Sequence, residues 1–443
     1  MAPPWNGLRS THEAARRLLS GLCNSSLCLD GCGGRRENTR WPQCIGPPII
    51  MVGRYVRGGM SVPELRVLSG LCGESFSPRR AQRPPNHSIT QSLNRVTTHT
   101  SHHTMLMNLA LGLSLMLISC DLSARDQLLK RYEFSLPRMG TIFRIELYSP
   151  DDATASKAAD AAFARAEELE QIMSDYREDS ELMRLARAGV SAPFPVSNDL
   201  YDVLAKSLRI SELSHGAFDV TVGPLVELWR NARKTGRLPD ASQLARARAL
   251  VDYRNIELDT ARRTAFLKRA GMKLDLGAIG KGYAADQMLA LLQSRGIRQA
   301  MVVAGGEVAL GAPPPGKAGW RVAIDTPDTD TGNPPCAIVL HDAAVSTSGN
   351  SRQFVEVNGK RFSHIIDPST GLGLEGAASA TVIARDSATA DALATALSVM
   401  PVADGIRLTE SLAGVAAFWV RQAGSEWKRY ASRGFPKGCP GWR

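Results

Sequence analysis

Apolar residues in the middle of the chain recur with two periods, one typical of strands and one typical of helices. Over 143–147 apolar residues alternate with charged ones, which predicts a half-buried strand. Over 154–173 small and apolar residues recur every three or four positions, which predicts a helix with one buried face. Further helices are predicted at 199–213, at 284–295 and at 387–400, the last beginning at Ser387.

Shorter apolar runs predict further strands, at Met272–Leu276, Met301–Ala304, Trp320–Asp325, 379–384 and Gly414–Val420. Gln353–Val357 and Lys360–Ile366 flank Asn358 and Gly359, a pair that supplies both positive-φ positions of a type I′ turn, so a β-hairpin is expected. Small polar residues predict turns at Ser346–Gly349 and Asp367–Gly371. Because helices and mainly antiparallel strands mix without regular βαβ alternation, the predicted class is α+β, a mainly antiparallel sheet flanked by helices.

Charge divides the chain into two unlike parts. Residues 1–104 contain 13 Arg, no Lys and 5 acidic residues, and they show no sustained hydrophobic period. This segment is predicted to be either a disordered basic arm or an upstream extension that the mature protein lacks. Residues 105–443 contain 40 basic and 38 acidic residues, so the main body is nearly neutral and no nucleic-acid partner is expected.

Residues 105–120 form an apolar stretch that suits a signal peptide better than a transmembrane helix. The stretch ends at Cys120 in a sequence that resembles a bacterial lipobox, which predicts lipidation of that cysteine. Asp121 resembles an inner-membrane retention signal. A buried helix followed by an ordinary cysteine is the alternative. The predicted organisation continues with a linker at 121–131, the main body at 132–432 and a tail at 433–443.

The cysteines indicate neither zinc nor a disulfide framework. Five of the eight precede residue 105, and the others are Cys120, Cys336 and Cys439. Scattered cysteines without a Cys-x-x-Cys pair do not form the usual zinc motif. Cys336 and Cys439 therefore receive no predicted role.

A glycine-rich segment at 274–286 carries the first candidate chemistry. Gly277, Gly280 and Gly282 would let the backbone approach a ligand closely, and a helix that follows would offer free N–H groups to a phosphate. The segment is not a Walker A loop, because no Ser or Thr follows Lys281. A tight turn without a ligand would explain the same glycines.

Three further residues could take part in proton transfer or metal binding. His364, at the end of a predicted strand, could shuttle a proton near neutral pH or could be structural. Asp391 and Thr395 stand one helical turn apart, so their oxygens face one side and suit Mg²⁺. Alternatively, Asp391 stabilises a helix N-terminus and Thr395 bonds back to the helix backbone.

Eight short motifs in a fixed order narrow these choices. They are Met139–Thr141; Ser174–Tyr176 with Asp179–Leu182; Gly216–Asp219 with Val222–Leu225; Asp275–Tyr283; Gly305–Glu307; Ser346–Gly349; His364–Gly371; and Ala390–Ala396. Over about 132–420 this order resembles the FAD:protein FMN transferases of the ApbE family, in which a lipoprotein leader is also typical.

The resemblance implies a Mg²⁺-dependent enzyme that cleaves the pyrophosphate of its substrate FAD. FMN would pass to a Thr or Ser of an acceptor protein, such as a redox-pump subunit or a periplasmic flavoprotein, and AMP would leave. The enzyme would lie at the periplasmic face of the inner membrane, anchored through Cys120. A flavin-binding lipoprotein without transfer activity and a periplasmic FAD pyrophosphatase are the alternatives.

The resemblance also implies site residues. The implied FAD contacts are Met139, Tyr176, Ala217, Phe218, Asp219, Asp275, Lys281 and Ile365. The implied Mg²⁺ ligands are Ala278, Ala388, Asp391 and Thr395, the two alanines through their carbonyls. Asp391 and His364 are the candidates for proton transfer. Three positions depart from the family pattern, namely Glu307, where Asp is frequent, and Asn350 and Ser351, where an acidic residue and Tyr are common.

Overall fold

The computed structural model describes residues 129–328, 336–349, 354–357, 360–437 and 439. The predicted extension at 1–104, the leader with Cys120 and most of the linker lie outside these residues. Within the described ranges, no helix is both long enough and apolar enough to cross a membrane.

Eight strands form one antiparallel sheet at the centre of the described chain. They are β1 (Lys130–Arg138), β2 (Thr141–Ser149), β6 (Ala300–Ala304), β7 (Glu307–Leu310), β10 (Ala343–Gly349), β14 (Ala378–Ala384), β15 (Ala416–Ala423) and β16 (Glu426–Ala431), and they lie side by side in that order. Every pairing in it is antiparallel. The predicted α+β class and mainly antiparallel sheet are therefore confirmed.

Eight α-helices accompany this sheet in the part of the chain that is described. They are α1 (Asp152–Met173), α2 (Glu181–Ala188), α3 (Asn198–Leu213), α4 (Gly223–Thr235), α5 (Ala241–Arg248), α6 (Gly280–Ser294), α7 (Ser387–Val399) and α8 (Val402–Ser411). Short 3₁₀ turns occur at Val220–Val222 and Tyr253–Asn255. The helices predicted at 154–173, 199–213, 284–295 and 387–400 are confirmed to within a few residues.

The remaining strands form three small sheets. Their members are β3 (Phe194–Pro195), β4 (Ile256–Asp259), β5 (Thr264–Leu267), β8 (Trp320–Ile324), β9 (Cys336–Leu340), β11 (Phe354–Val357), β12 (Lys360–Ile366) and β13 (Gly373–Glu375). The sheet orders are β3-β5-β4, β8-β9 and β11-β12-β13. The predicted hairpin is confirmed, because β11 and β12 pair antiparallel with Val357 opposite Lys360.

The central sheet separates two apolar cores, because successive side chains of each strand point to opposite faces. In β6, Val302 packs with the helices and Val303 packs with β8 and β9. In β15, Trp419 and Phe418 divide in the same way. The molecule therefore has helices on one face of the sheet and the β8–β9 ribbon on the other.

Two predictions of local structure are wrong. Residues 272–276 form a connecting segment in which the Asp275 N–H donates to the Val220 carbonyl at 2.8 Å. Met272, Leu274 and Leu276 are buried, so the alternation reflects an extended chain over the core rather than a strand in a ladder. Ser346–Gly349, predicted as a turn, forms the second half of β10.

A disulfide joins Cys336, on β9, to Cys439 across 103 residues of sequence, so two cysteines that received no predicted role form a covalent link. Sequence spacing alone does not reveal which cysteines meet. Cys439 and Phe435 are buried against the ribbon-side core, in the segment predicted as a tail.

Candidate active site

The glycine-rich segment folds into a compact turn before helix α6. An oxygen of Asp275 accepts from the Gly277 N–H at 2.7 Å, and the Gly280 N–H donates to the Leu276 carbonyl at 2.7 Å. Lys281, in the first turn of α6, bends back so that its Nζ donates to the Gly277 carbonyl at 2.6 Å. The turn therefore presents Asp275, the intervening carbonyls and the Lys281 ammonium on one short stretch of chain.

Helix α7 lies against the beginning of α6, and Gly282 makes this approach possible. A Cβ at Gly282 would stand 2.3 Å from the carbonyl oxygen of Ser387. The Gly282 N–H donates to Oδ2 of Asp391 at 3.2 Å. The two helices are thus joined directly at the carboxylate that the sequence nominates as a metal ligand.

Asp286, a residue that the sequence did not single out, holds the N-terminus of α7. Its two oxygens accept from the N–H groups of Ser387 at 2.7 Å and Ala388 at 2.9 Å. Burial raises the pKa of Asp286 to about 7, although these hydrogen bonds oppose the increase. The helix begins after Asp386, whose side chain accepts from Thr389 N, so Ser387 is its first residue rather than its cap.

Lys281 stands between two buried carboxyl groups. Its Nζ lies 3.7 Å from Oδ2 of Asp391 and 3.5 Å from Oε1 of Glu307. Their side chains are 3% and 7% exposed, so the attraction is only weakly screened by water. Burial alone would lower the pKa of Lys281, but the two carboxyl groups outweigh it and raise that pKa.

Burial has the opposite effect on the two acids. It raises the pKa of Glu307 to about 7 and also raises the pKa of Asp391, while Lys281 favours the ionised form of both. The cluster contains one more carboxyl group than ammonium. Such a cluster favours either a retained proton or a second cation.

Hydroxyl groups line the strand that faces Asp391 and Thr395. Oγ of Ser348 lies 3.2 Å from Oγ1 of Thr395. Thr347, the residue before Ser348, points to the opposite face of the sheet, where its Oγ1 lies 2.9 Å from Oγ1 of Thr381. The Ser346 hydroxyl is buried without a hydrogen-bond partner among the described residues. Carboxylate, hydroxyl and carbonyl oxygens together suit a hard cation such as Mg²⁺. Among the described residues, no group of three or more His, Cys, Asp or Glu side chains is placed to hold a metal ion.

A second cluster forms around Arg230 on α4, which the sequence also did not indicate. Its guanidinium reaches Oδ2 of Asp175 at 2.5 Å and Oδ2 of Asp275 at 3.1 Å. The carbon of the guanidinium lies 4.2 Å from the ring centroid of Tyr176. Arg230 thus connects Tyr176 and Asp275, two of the implied FAD contacts.

Ala217, Phe218 and Asp219 follow α3 in a tightly held loop. One oxygen of Asp219 accepts from the N–H and the hydroxyl of Thr221, and the other accepts from Tyr253 N at 2.9 Å. Burial raises the pKa of Asp219 despite these hydrogen bonds. Phe218 is buried, and Ala217 packs at the edge of the core between the helices and the sheet. The contacts of this motif therefore stabilise the conformation of the loop itself.

The other implied residues lie on β12 and at the β1–β2 turn. His364 is exposed on β12, whereas the neighbouring Ile365 is buried and its N–H donates to the Ser363 hydroxyl. Met139 has a left-handed φ of 47°, and its N–H donates to Glu170 at 3.0 Å.

The geometry therefore joins some of the predicted residues and leaves others apart. Lys281 and Asp391 lie 3.7 Å apart where α6 meets α7, and Thr395 stands one helical turn after Asp391, against β10. Ala278 lies in the glycine turn that Lys281 contacts through the Gly277 carbonyl, and Ala388 lies beside Gly282 at the start of α7. Asp275 connects this place to the Arg230 cluster through the glycine turn. Glu307 belongs to the first cluster, although the sequence marked it only as a departure from the family pattern.

Comparison with known proteins agrees with this arrangement. A model of the ApbE family matches residues 139–419. A FAD:protein FMN transferase of Klebsiella pneumoniae is 35% identical, with 67% of this chain and 86% of that protein covered. One of Vibrio cholerae is 34% identical, with 74% and 96% covered.

Two solved structures share the fold as well as the sequence. The flavin transferase ApbE from Vibrio cholerae superposes with a TM-score of 0.64 at 34% identity, over 69% of this chain and 98% of that one. The apo form of the Pseudomonas stutzeri flavinyl transferase ApbE has a TM-score of 0.62 at 29% identity, over 69% and 95%. The fold and the sequence similarity define the class of this protein as a flavin transferase. The chain belongs to the ApbE family.

Proposed function

We propose that this protein is a FAD:protein FMN transferase that uses Mg²⁺ to pass FMN from FAD to a Thr or Ser of an acceptor protein. The observation that carries the proposal is the buried cluster of Lys281, Glu307 and Asp391 beside the Thr395 hydroxyl. Such a cluster suits an anionic pyrophosphate together with a cation. Membership of the ApbE family supports the same activity.

The proposed step is a displacement at phosphorus. The acceptor hydroxyl oxygen forms a bond to the phosphorus of the FMN half, and the bond from that phosphorus to the bridging oxygen breaks. AMP leaves with the bridging oxygen, and the hydroxyl proton passes to a base. Reactions of this type depend mainly on positioning and on neutralising the phosphate charge.

Lys281 and the cation site would supply that neutralisation. The ammonium of Lys281 is held by Asp391 and Glu307 at the mouth of the glycine turn, where it can approach phosphate oxygens. The residues that would hold Mg²⁺ are Ala278, Ala388, Asp391 and Thr395, with the ion withdrawing charge from the pyrophosphate when bound. Ala388 stands in the first turn of α7. Its carbonyl oxygen has two lone pairs, so one can accept the helical hydrogen bond while the other would bind the ion.

Asp391 is the better candidate for the base. It lies in the buried cluster beside the proposed cation site, and burial raises its pKa above the ordinary value of a carboxyl group. His364 lies exposed on β12 and is the second candidate.

One assay separates this proposal from its alternatives. The full chain is incubated with FAD, Mg²⁺ and a candidate acceptor protein from the host membrane. A fluorescent acceptor band in a denaturing gel, with AMP released, supports transfer. AMP without a labelled acceptor would indicate a pyrophosphatase, and FAD binding without either product would indicate a binding protein.

We expect Asp391→Ala to lower turnover by about 100-fold or more, because the site loses a ligand for the cation that would neutralise the pyrophosphate in the transition state. Much of the FAD affinity should survive, since the Arg230 cluster remains. The measurement compares turnover and FAD titration with those of Asp160→Ala, an exposed position on α1. Wild-type turnover of Asp391→Ala at saturating Mg²⁺ would refute the metal role.

We also propose that the protein works at the periplasmic face of the inner membrane, anchored through Cys120. The Cys336–Cys439 disulfide supports this location, since disulfides persist mainly in oxidising compartments. The lipobox-like sequence that ends at Cys120 supports the anchor. Acceptors of the redox-pump or periplasmic flavoprotein class would be found in the same place.

A further inference from the structure

Arg230 connects three parts of the chain that are distant in sequence. It projects from α4 and holds Asp175, in the segment after α1, and Asp275, in the glycine turn. Its side chain is 25% exposed, and those of Asp175 and Asp275 are 18% and 12% exposed. Because these charges are largely removed from water, losing the Arg230 cation would leave the two carboxylates to repel each other, with the more distant Lys281 still attracting Asp275.

The same guanidinium supports an exposed aromatic ring. Tyr176 is 74% exposed, unusual for a large side chain, and the Arg230 guanidinium lies 4.2 Å from its ring centroid. A guanidinium plane stacked on an aromatic ring holds that ring without hiding its other side. Tyr176 therefore offers a fixed surface on which a second planar ring can stack.

Arg230 also fixes the carboxylate that shapes the glycine turn. One oxygen of Asp275 receives a hydrogen bond from Arg230, and the other accepts from Gly277 N at 2.7 Å. Gly277 in turn accepts from Lys281 through its carbonyl. A continuous chain of contacts thus runs from the Tyr176 ring through Arg230 and Asp275 to the Lys281 ammonium.

We propose that Arg230 is a positioning residue that sets the distance between a ring-stacking surface, Tyr176, and a phosphate-binding turn, 275–281. The arrangement selects a dinucleotide in which a planar ring and a pyrophosphate stand at a fixed separation. This inference rests on the proposed function, because FAD is the substrate in question. Arg230 itself acts through its neighbours and takes no part in the bond changes.

The test compares wild type with Arg230→Met, Arg230→Lys, Tyr176→Leu and the double variant Arg230→Met/Tyr176→Leu. Lys234→Met is the control, because Lys234 is exposed on the same helix. FAD affinity is measured by flavin fluorescence, KM and kcat by AMP release, and folding by circular dichroism. Inorganic pyrophosphate, tested as a competitor, reports on the phosphate-binding turn without a ring.

We expect Arg230→Met to weaken FAD binding by about tenfold or more, as loss of a partly desolvated cation–π contact and an ion pair implies. KM should rise more than kcat falls. In the Tyr176→Leu background the same substitution should cost clearly less, because the ring it supports is already gone. Arg230→Lys should recover only part of the affinity, since an ammonium cannot bind both carboxylates and stack.

Three results would overturn the inference while leaving the proposed function standing. They are an Arg230→Met protein that behaves like Lys234→Met, equal losses with and without the Tyr176 ring, and a change in pyrophosphate competition alone. If Arg230→Met fails to fold, the same comparisons are made with Arg230→Lys. A wild-type protein that neither binds FAD nor transfers FMN would overturn the proposed function and this inference together.

Discussion

Asp151 and Asp386 make the same capping hydrogen bonds at two different helices. Asp151 accepts from the N–H and hydroxyl of Thr154 before α1, at 2.7 and 3.0 Å. Asp386 accepts from the same two groups of Thr389 before α7, both at 2.9 Å. Asp386 additionally accepts from Lys206 of α3 at 2.9 Å. The two caps therefore differ by one ion pair and by the greater burial of Asp386.

That ion pair gives the Asp386 cap a dependence on pH. Burial opposes ionisation of Asp386, but the hydrogen bond and charge of Lys206 outweigh it and lower its pKa below the ordinary 3.8. A carboxylate whose pKa falls on folding binds fewer protons in the folded state. Its stabilising effect is therefore complete above the unfolded pKa and is lost as pH falls through the folded value.

We expect Asp386→Asn to lower the free energy of unfolding at pH 7 by about 0.5–1 kcal/mol more than Asp151→Asn does. Asn keeps the cap at both positions, and only the first change removes an ion pair. Denaturant unfolding at several pH values is the measurement, and the excess should begin to fall below about pH 4 and disappear as pH passes the lower, folded pKa of Asp386. An excess that stays constant down to pH 3 would assign it to something other than Lys206.

At the scale of single residues, the sequence predicts only which side chains lie together within one helix or strand. Asp391 and Thr395 could be assigned to one helical face because their spacing alone defines it. Arg230 could not be identified, because a basic residue on an amphipathic helix usually faces solvent. Its partners Asp175 and Asp275 lie 55 and 45 residues away, so only the fold brings them together.

Between elements, the close approach of α6 and α7 depends on a residue without a side chain. A Cβ at Gly282 would stand 2.3 Å from Ser387 O and 2.6 Å from Ser387 C. These are backbone atoms, which cannot rotate away. The helices would have to separate at the point where Gly282 N donates to Asp391.

We expect Gly282→Ala to lower the free energy of unfolding by about 1–3 kcal/mol, the usual cost of overpacking. The matched control is Gly280→Ala in the same turn, where a Cβ would make ordinary van der Waals contacts, with the flexible end of Met173 at 3.8 Å and with Leu276 Cβ at 3.9 Å. That change should be neutral or slightly stabilising, because Ala favours helix more than Gly does. Chemical denaturation and turnover are measured for both. Equal stability of the two variants would contradict the account.

The elements themselves were mostly predictable, and their partners were not. Hydrophobic spacing located α1, α3, α6 and α7, because a buried helical face imposes its own period. The same logic failed for Met272–Leu276, where an extended segment covers the core and alternates like a strand. Ser346–Gly349 was taken for a turn because small polar residues are common in turns, whereas here they place hydroxyl groups beside Thr395.

For the whole molecule, the ribbon-side core brings together distant parts of the described chain. β8 and β9 cover one face of the central sheet, and Phe435 and Cys439 are buried with them. The Cys336–Cys439 disulfide links β9 covalently to the segment that contains Cys439. The α+β class followed from composition and period, but the sheet order did not, because neighbours such as β2 and β6 are joined across some 150 residues of sequence.

We expect Cys439→Ser to lower the free energy of unfolding by about 2–4 kcal/mol, because a long loop is no longer closed in the unfolded chain. Thermal unfolding is followed with and without dithiothreitol. Reductant should lower the Tm of wild type and leave that of Cys439→Ser unchanged. Protein isolated from host membranes should resist thiol alkylation at both positions. Free thiols there would contradict the disulfide and the proposed periplasmic location together.

The sequence distance between Cys336 and Cys439 has a consequence for how the protein matures. Because 103 residues separate the two cysteines, most of the fold must be synthesised before the bond can close, and closure needs an oxidising compartment. A chain that folded in the reducing cytoplasm would keep Cys336 and Cys439 as free thiols. Recombinant protein from a reducing host compartment should accordingly lack the bond, whereas protein of the same sequence from an oxidising compartment should contain it.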